Sequence, residues 1–126
     1  MTLILDAGAL LRLEAGDRGL STRIKRARLA GTPAVTHGGV IGQVWRGGNG
    51  RQAPLASALK HVQVVALGSV LGKLSGLLLG YAGTSDVIDA ALVTLAEDGD
   101  RILTSDFDDL VWLAEVSGKD VQILPV

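Results

Sequence analysis

Residues 101–110, RILTSDFDDL, carry a short apolar run, Ile102 and Leu103, into three acids, Asp106, Asp108 and Asp109. Residues 2–11, TLILDAGALL, use the same plan with one acid: Leu3, Ile4 and Leu5 lead straight into Asp6. In both stretches residues at helical spacing follow the acid, so each reads as buried strand, polar turn and helix. Two such units near opposite ends of one chain, with further strands and helices between them, imply an α/β fold. The expected sheet is mostly parallel, with helices on both faces.

The rest of the chain fits that alternation. AGALLRLEA (7–15) and GLSTRIKRARLAG (19–31) read as helices, the second stopped by Gly31 and Pro33. PAV (33–35) is a small strand. HGGVIGQVWRGG (37–48) sets Val40, Ile41, Val44 and Trp45 on one helical stripe, closed by Gly47 and Gly48. RQAPLASALKH (51–61) is a short helix and VQVVAL (62–67) a strand. SVLGKLSGLLLGYAG (69–83) and SDVIDAALVTLAEDGD (85–100) are helices, DFDDLVWLAEVSG (106–118) another, and VQILPV (121–126) a last strand.

Composition narrows the class. Apolar residues fill 48% of 126 positions, so core burial can offset the ordering entropy of one domain spanning 1–126. Cysteine is absent, which removes disulfides, thiolate metal sites and a cysteine nucleophile together. The first apolar run, Leu3 to Leu5, is too short for a signal peptide. Residues 62–83 are the most lipid-like, yet Gln63, Lys73 and repeated glycines break them up too often for a spanning helix. A soluble cytoplasmic protein without membrane association is the expectation.

The net charge of −1 conceals a division. From Arg18 to Ser85 there are nine Lys or Arg and no acid, whereas Asp86 to Val126 holds ten acids and two bases. Blocks of this kind mark solvated faces or interaction surfaces. A basic surface beside an acidic cluster suits a phosphate polymer brought to metal ions.

The acids themselves carry the chemistry. In an open α/β sheet, ligands gather outside the carboxyl ends of the strands, and Asp6 and Asp106 both stand at such ends. Helix capping is the competing explanation for Asp106, with Asp108 and Asp109 favoured by the helix dipole. Capping accounts for one acid per helix but not for acids at several converging ends. In TSDVIDAALVTLA, Asp86 is a natural cap, whereas Asp89 interrupts an apolar helix. A buried carboxylate is costly unless something positive meets it, and no lysine or arginine is near in sequence. Asp6, Asp89 and Asp106 are hard oxygen donors, better suited to Mg²⁺ or Mn²⁺ than to zinc.

These residues carry a resemblance. LILDAGALL at the N-terminus, VIDAALVTLA in the penultimate helix and ILTSDFDDL near the end, in that order, resemble a PIN-domain protein of the VapC-like toxin ribonuclease group. The match spans essentially the whole length. The resemblance implies a PIN-like three-layer sandwich with a parallel sheet of about five strands. It implies that Asp6, Asp89 and Asp106 are catalytic acids that bind Mg²⁺ or Mn²⁺, with Asp109 as a fourth metal-binding acid. Thr104 and Ser105 would shape the loop, and Asp86 would support it. It further implies endoribonuclease activity on RNA, homodimerisation, and inhibition by a cognate antitoxin that covers the site. One position departs from the pattern: members commonly carry a glutamate in the helix after the second strand, where this chain has Gln43. Glutamine hydrogen-bonds but adds no negative charge, so a catalytically weak or inactive RNA- or protein-binding module is the alternative. A phosphoacceptor domain fits less well, since LILDAG offers one acid and no lysine follows the last strand.

Other residues divide. Arg46, one turn from Gln43, and Arg51 are expected to contact substrate phosphate. Trp45 and Trp112 lie in apolar stripes and are expected in the core; with 3% aromatics, base stacking is not a theme. His37 and His61 are isolated and read as structural. Gly72, Gly76 and Gly80 form one helix face, at about 1 kcal/mol each relative to alanine. Close packing inside the chain is the expected offset, with dimerisation second.

Overall fold

The computed structural model describes residues 1–48 and 50–126. Five strands form one sheet: β1 (Leu3–Leu5), β2 (Ala34–His37), β3 (Val62–Val65), β4 (Arg101–Thr104) and β5 (Gln122–Pro125). Among the described residues there are seven helices. Four precede or flank β3: α1 (Ala7–Glu14), α2 (Arg18–Leu29), α3 (Gly38–Val44) and α4 (Ala53–Leu59). Three follow: α5 (Ser69–Ala82), α6 (Val87–Leu95) and α7 (Phe107–Ser117).

The strand order is β3-β2-β1-β4-β5, and every pairing is parallel. The chain therefore builds outward from β1 through β2 to β3, then returns to add β4 and β5 on the other side of β1. Right-handed crossovers put the helices of the two halves on opposite faces. Accordingly α1 packs with α2, α3 and α4, while α5, α6 and α7 pack with one another. The result is a three-layer α/β sandwich whose direction of winding reverses between β1 and β4. Ile4 pairs with Ile102 and Leu5 with Leu103 at that reversal. The centres of both strands are apolar because both faces are covered: Leu3, Ile4, Leu5, Ile102 and Leu103 are all buried, with Arg101 and Thr104 at the two ends of β4.

The helix starts are set by side chains. Asp6 caps α1 through Ala9 N–H, Asp17 caps α2 through Leu20 N–H, and Asp86 caps α6 through Asp89 N–H. His37 does the same for α3 through Gly39 N–H. Lys119 closes α6 from outside: its Nζ donates to the carbonyls of Val93, Thr94 and Ala96 at 3.0, 2.9 and 2.7 Å. One glycine is sterically required at the reversal. A Cβ on Gly8 would lie 2.6 Å from Ser105 Cβ, so the first turn of α1 and the loop after β4 touch only because that Cβ is missing.

Two expectations fail. Trp45 and Trp112 are 42% and 47% exposed rather than core. Trp45 falls one residue past the end of α3, where the backbone has already turned extended, so the helical stripe no longer places it. Trp112 is held outward by an indole N–H bond to the Ala82 carbonyl, at 2.9 Å. The glycine face of α5 is the second. Nothing lies within 4 Å of a Cβ built on Gly72, Gly76 or Gly80, so no part of this chain packs closely there. The helix docks chiefly on α6 and α7, burying Ser75 and Ala82, and turns Val70, Leu74, Leu77 and Tyr81 outward. Among the described residues no single helix is long and apolar enough to cross a membrane; α5 and α6 are separated by a bend of 108°.

Candidate functional site at the β1–β4 reversal

Asp6 ends β1 and is buried. Its Oδ1 accepts from Ala9 N–H at 3.0 Å. Its Oδ2 accepts from the Thr104 hydroxyl at 2.5 Å and from Ser105 N–H at 2.9 Å. Thr104 Oγ1 accepts in turn from Asp106 N–H at 2.8 Å. This short chain of bonds, Asp106 to Thr104 to Asp6, ties the ends of the two central strands together. The carboxylate is therefore both a cap and a fixed negative charge, stabilised by three donors.

Asp89 stands differently. It lies in the first turn of α6 and is 4% exposed. Its Oδ2 is buried and has no hydrogen-bond partner. Native buried polar atoms are almost always paired, so this one requires a physical reason. Burial first, and then the charges of Asp86, Asp106, Asp6 and Asp109, push its carboxyl up to about 7. Four other acids are thus near enough to be felt by one buried group. Asp106 is raised as well, by burial and then by Asp6, Asp109 and Asp86. Its side chain does not cap α7, so capping is not what places it there.

The neighbourhood is shared, but the side chains are not closed on one point. Among the described residues no three carboxylates or imidazoles are arranged to hold an ion as they stand. The donor set nevertheless suits a hard divalent cation: it consists of carboxylate oxygens, one of them buried and unpartnered. No arginine or lysine forms an ion pair with these acids among the described residues, where the one salt bridge is Arg12 to Asp17.

Six of the predicted residues line two separate depressions, and Asp6 and Asp106 line neither of these. Asp86, Asp89 and Asp109 line one, together with Trp112. Gln43, Arg46 and Arg51 line another, with Glu14 and Gln52. Arg46 bends back onto its own helix end, donating to the carbonyls of Gly42, Gln43 and Trp45 at 3.1, 3.2 and 2.8 Å. Those carbonyls are orphaned by the end of α3, and a guanidinium satisfies them well. Arg51 is exposed.

Two residues hold this region in place: Gln52, which sequence reasoning missed, and His37, which it read only as structural. Gln52 is buried and fully engaged: its Oε1 accepts from Arg46 and Gly47 N–H, and its Nε2 donates to Glu14 and to the Val44 carbonyl. It fixes both ends of the loop carrying Arg46. His37 is also buried, with Nε2 2.9 Å from the Ile88 carbonyl and Nδ1 accepting from Gly39 N–H at 3.1 Å. That pattern requires a neutral ring with its proton on Nε2. Burial pulls its pKa down, partly opposed by the Ile88 carbonyl. His37 thereby locks the residue preceding Asp89 to the end of β2. Neither role is legible locally, because the bonds that reach furthest, Gln52 to Glu14 and His37 to Ile88, go to other elements.

Compared with known proteins, this chain matches no family model, no curated protein and no solved structure. What the fold and site define by themselves is a doubly wound α/β domain with five acids around its winding reversal, the place where such sheets bind ligands.

Proposed function

We propose that this chain is a PIN-like, metal-dependent endoribonuclease of the VapC-like toxin type. The observation that carries the reading is Asp89: a buried carboxylate with a free oxygen, surrounded by Asp6, Asp86, Asp106 and Asp109. Such a group is electrostatically unfavourable without a cation. Asp6, Asp89 and Asp106 would hold Mg²⁺ or Mn²⁺, with Asp109 at the rim. The ion would supply positive charge against the developing phosphorane charge and make a water nucleophilic at neutral pH. Water would lose a proton and add in line to phosphorus, the bond to the 3′ oxygen would break with that oxygen taking up a proton, and the ends would be a 5′-phosphate and a 3′-hydroxyl. In this scheme Asp6 is held rigid by Thr104 and Ser105, so that its charge does not move during the reaction. Arg18, Lys25, Arg26 and Arg28, exposed on α2, would draw RNA through its phosphates, and binding would weaken steeply with salt.

The partners follow from the same reading: RNA as substrate, a cognate antitoxin protein over the acids, and a second copy of this chain, in the cytoplasm. The outward face of α5 is the surface we assign to the second copy. A helix apolar on both its inner and outer sides is one that is covered on both.

A second reading has one observation in its favour. Since no three ligands converge as the side chains stand, and Gln43 replaces an expected acid, the same surface could bind RNA or protein without cleaving. Purified protein incubated with RNA and Mg²⁺, Mn²⁺ or chelator separates the two. Cleavage that appears with the ions and disappears with chelator supports the nuclease. Binding without cleavage under all three conditions leaves the binding module.

A further inference from the structure

Two exposed aromatic residues stand near the acids, Phe107 and Trp112, and of these Trp112 is fixed at its polar end. Its indole N–H is fixed to the Ala82 carbonyl, so the ring, 47% exposed, is a held surface and not a swinging side chain. Asp109 and Trp112 are three apart on α7 and leave it on the same side. With Asp86 and Asp89 they line one cavity of about 220 Å³. Trp112 lines this cavity beside three acids, among them Asp89, whose buried Oδ2 has no partner, and Thr84, Ser85 and Leu113 complete the lining.

Its size limits the ligand. Sites that enclose a whole small molecule occupy roughly 300–1,000 Å³, so this one takes a single flat group of something larger. Its chemistry limits the ligand further. An indole face stacks a π-system. Ionised carboxylates only accept hydrogen bonds, so the stacked group must present donors to them. Cytosine and adenine carry an exocyclic amino group that a carboxylate recognises. Where cytosine carries its amino group uracil carries the O4 carbonyl, which faces the acids unfavourably.

We propose that Trp112 and the carboxylates beside it form a nucleobase subsite that takes cytosine or adenine in preference to uracil. The identity of the ligand as RNA rests on the nuclease reading; the flat amino-bearing group rests on the cavity. Trp112 is here a specificity-determining residue.

The test uses the full chain carrying Trp45→Phe, so that fluorescence reports Trp112 alone, with Ca²⁺ in place of Mg²⁺. The probes are single-stranded RNA hexamers of cytidine, adenosine or uridine, and an abasic hexamer of the same charge. Cytidine and adenosine hexamers are expected to quench Trp112 and to bind several-fold more tightly than uridine, while the abasic hexamer does not quench. Trp112→Leu should weaken cytidine binding by roughly ten- to hundredfold, the range of one base–aromatic stack, and leave abasic binding unchanged. Trp112→Phe, which keeps a ring, should restore most of the difference. Equal affinity for all four hexamers, absent quenching, or unchanged binding by Trp112→Leu overturns the proposal. So does quenching by an arginine-rich peptide when RNA gives none, since the face then belongs to a protein partner. Base-selective binding without cleavage in Mg²⁺ or Mn²⁺ keeps the subsite and removes the nuclease. Cleavage with the same base preference in Trp112→Leu does the reverse.

Discussion

Thr104 Oγ1 donates to Asp6 Oδ2 at 2.5 Å, joining the ends of β1 and β4 across 98 positions of sequence. With Ala9 and Ser105 N–H on the same carboxylate, Asp6 serves as a structural fastener as well as a proposed metal ligand. An asparagine there has one acceptor oxygen, and its amide nitrogen would face a hydroxyl or an N–H that also donates. Asp6→Asn is therefore expected to abolish cleavage and also to lower stability, by about 1–3 kcal/mol. Urea titration beside the cleavage assay reads both. Unaltered stability would show that these bonds contribute little, and retained cleavage in excess Mg²⁺ would remove Asp6 from the site.

Asp89 gives the cleaner experiment, because its Oδ2 bonds to nothing. Its carboxyl is raised to about 7 by burial and by four neighbouring acids, against an ordinary value of 3.8. Between those two pH values the folded chain holds one more proton than the unfolded chain, so metal-free stability falls as pH rises from about 4 through 7 and then levels off. His37 works in the opposite sense. Its pKa is lowered from 6.5, so acidification below that value favours the unfolded chain. The difference between the parent and Asp89→Asn isolates the carboxylate. The variant should match the parent near pH 4 and exceed it in melting temperature at pH 8. Mn²⁺ should raise the melting point of the parent at pH 8 and leave the variant unmoved. A variant that is less stable than its parent at pH 8 without metal contradicts this account of Asp89.

The strands and the order of helices were legible because the centres of the central strands are buried on both faces and read as short apolar runs. Asp6, Asp106 and the interruption at Asp89 were legible for a related reason: an acid at a strand end or inside an apolar helix stands out locally. Trp45 and Trp112 were not legible. Their exposure depends on a helix ending one residue early and on an indole bond to another helix. The open glycine face of α5 was misread because periodicity shows that a face is apolar but not what covers it. Gln52 and His37 are long-range fasteners whose furthest partners sit on other elements. The two separate depressions, one acidic and one lined by Gln43, Arg46 and Arg51, follow from packing alone.

On α5, Val70, Leu74, Leu77 and Tyr81 follow 4-3-4 spacing and are all outward. That spacing is the seam of one helix against another, and the unobstructed glycines beside it leave room for a close approach. Leu77→Asp places a charge at the middle of the seam, where a second copy would bury it. The expected outcome is a shift from dimer to monomer in sedimentation velocity, with the melting temperature of the monomer little changed. If the parent is monomeric at the highest soluble concentration, α5 does not serve this purpose. If Leu77→Asp unfolds the chain, the residue is part of the core after all.

Lys119 separates stability from activity. Its ammonium satisfies three carbonyls at the end of α6, the same helix whose first turn carries Asp89 and is tied to His37 through Ile88. The helix is thus held at one end by an imidazole and at the other by an ammonium, each from a different element. Met in place of Lys119 keeps the length and apolar stem but leaves the carbonyls unpaired. Loss of hydrogen bonds to a charged group places the expected destabilisation at about 1.5–3 kcal/mol. Because Lys119 lies at the far end of α6 from Asp89, cleavage by the folded fraction should be unchanged, with the same dependence on Mg²⁺ concentration. Denaturant titration and cleavage kinetics on one preparation test both halves. A Lys119→Met protein that is fully stable shows the three bonds to be worth nothing net, and one that is stable but inactive would place Lys119 in the chemistry.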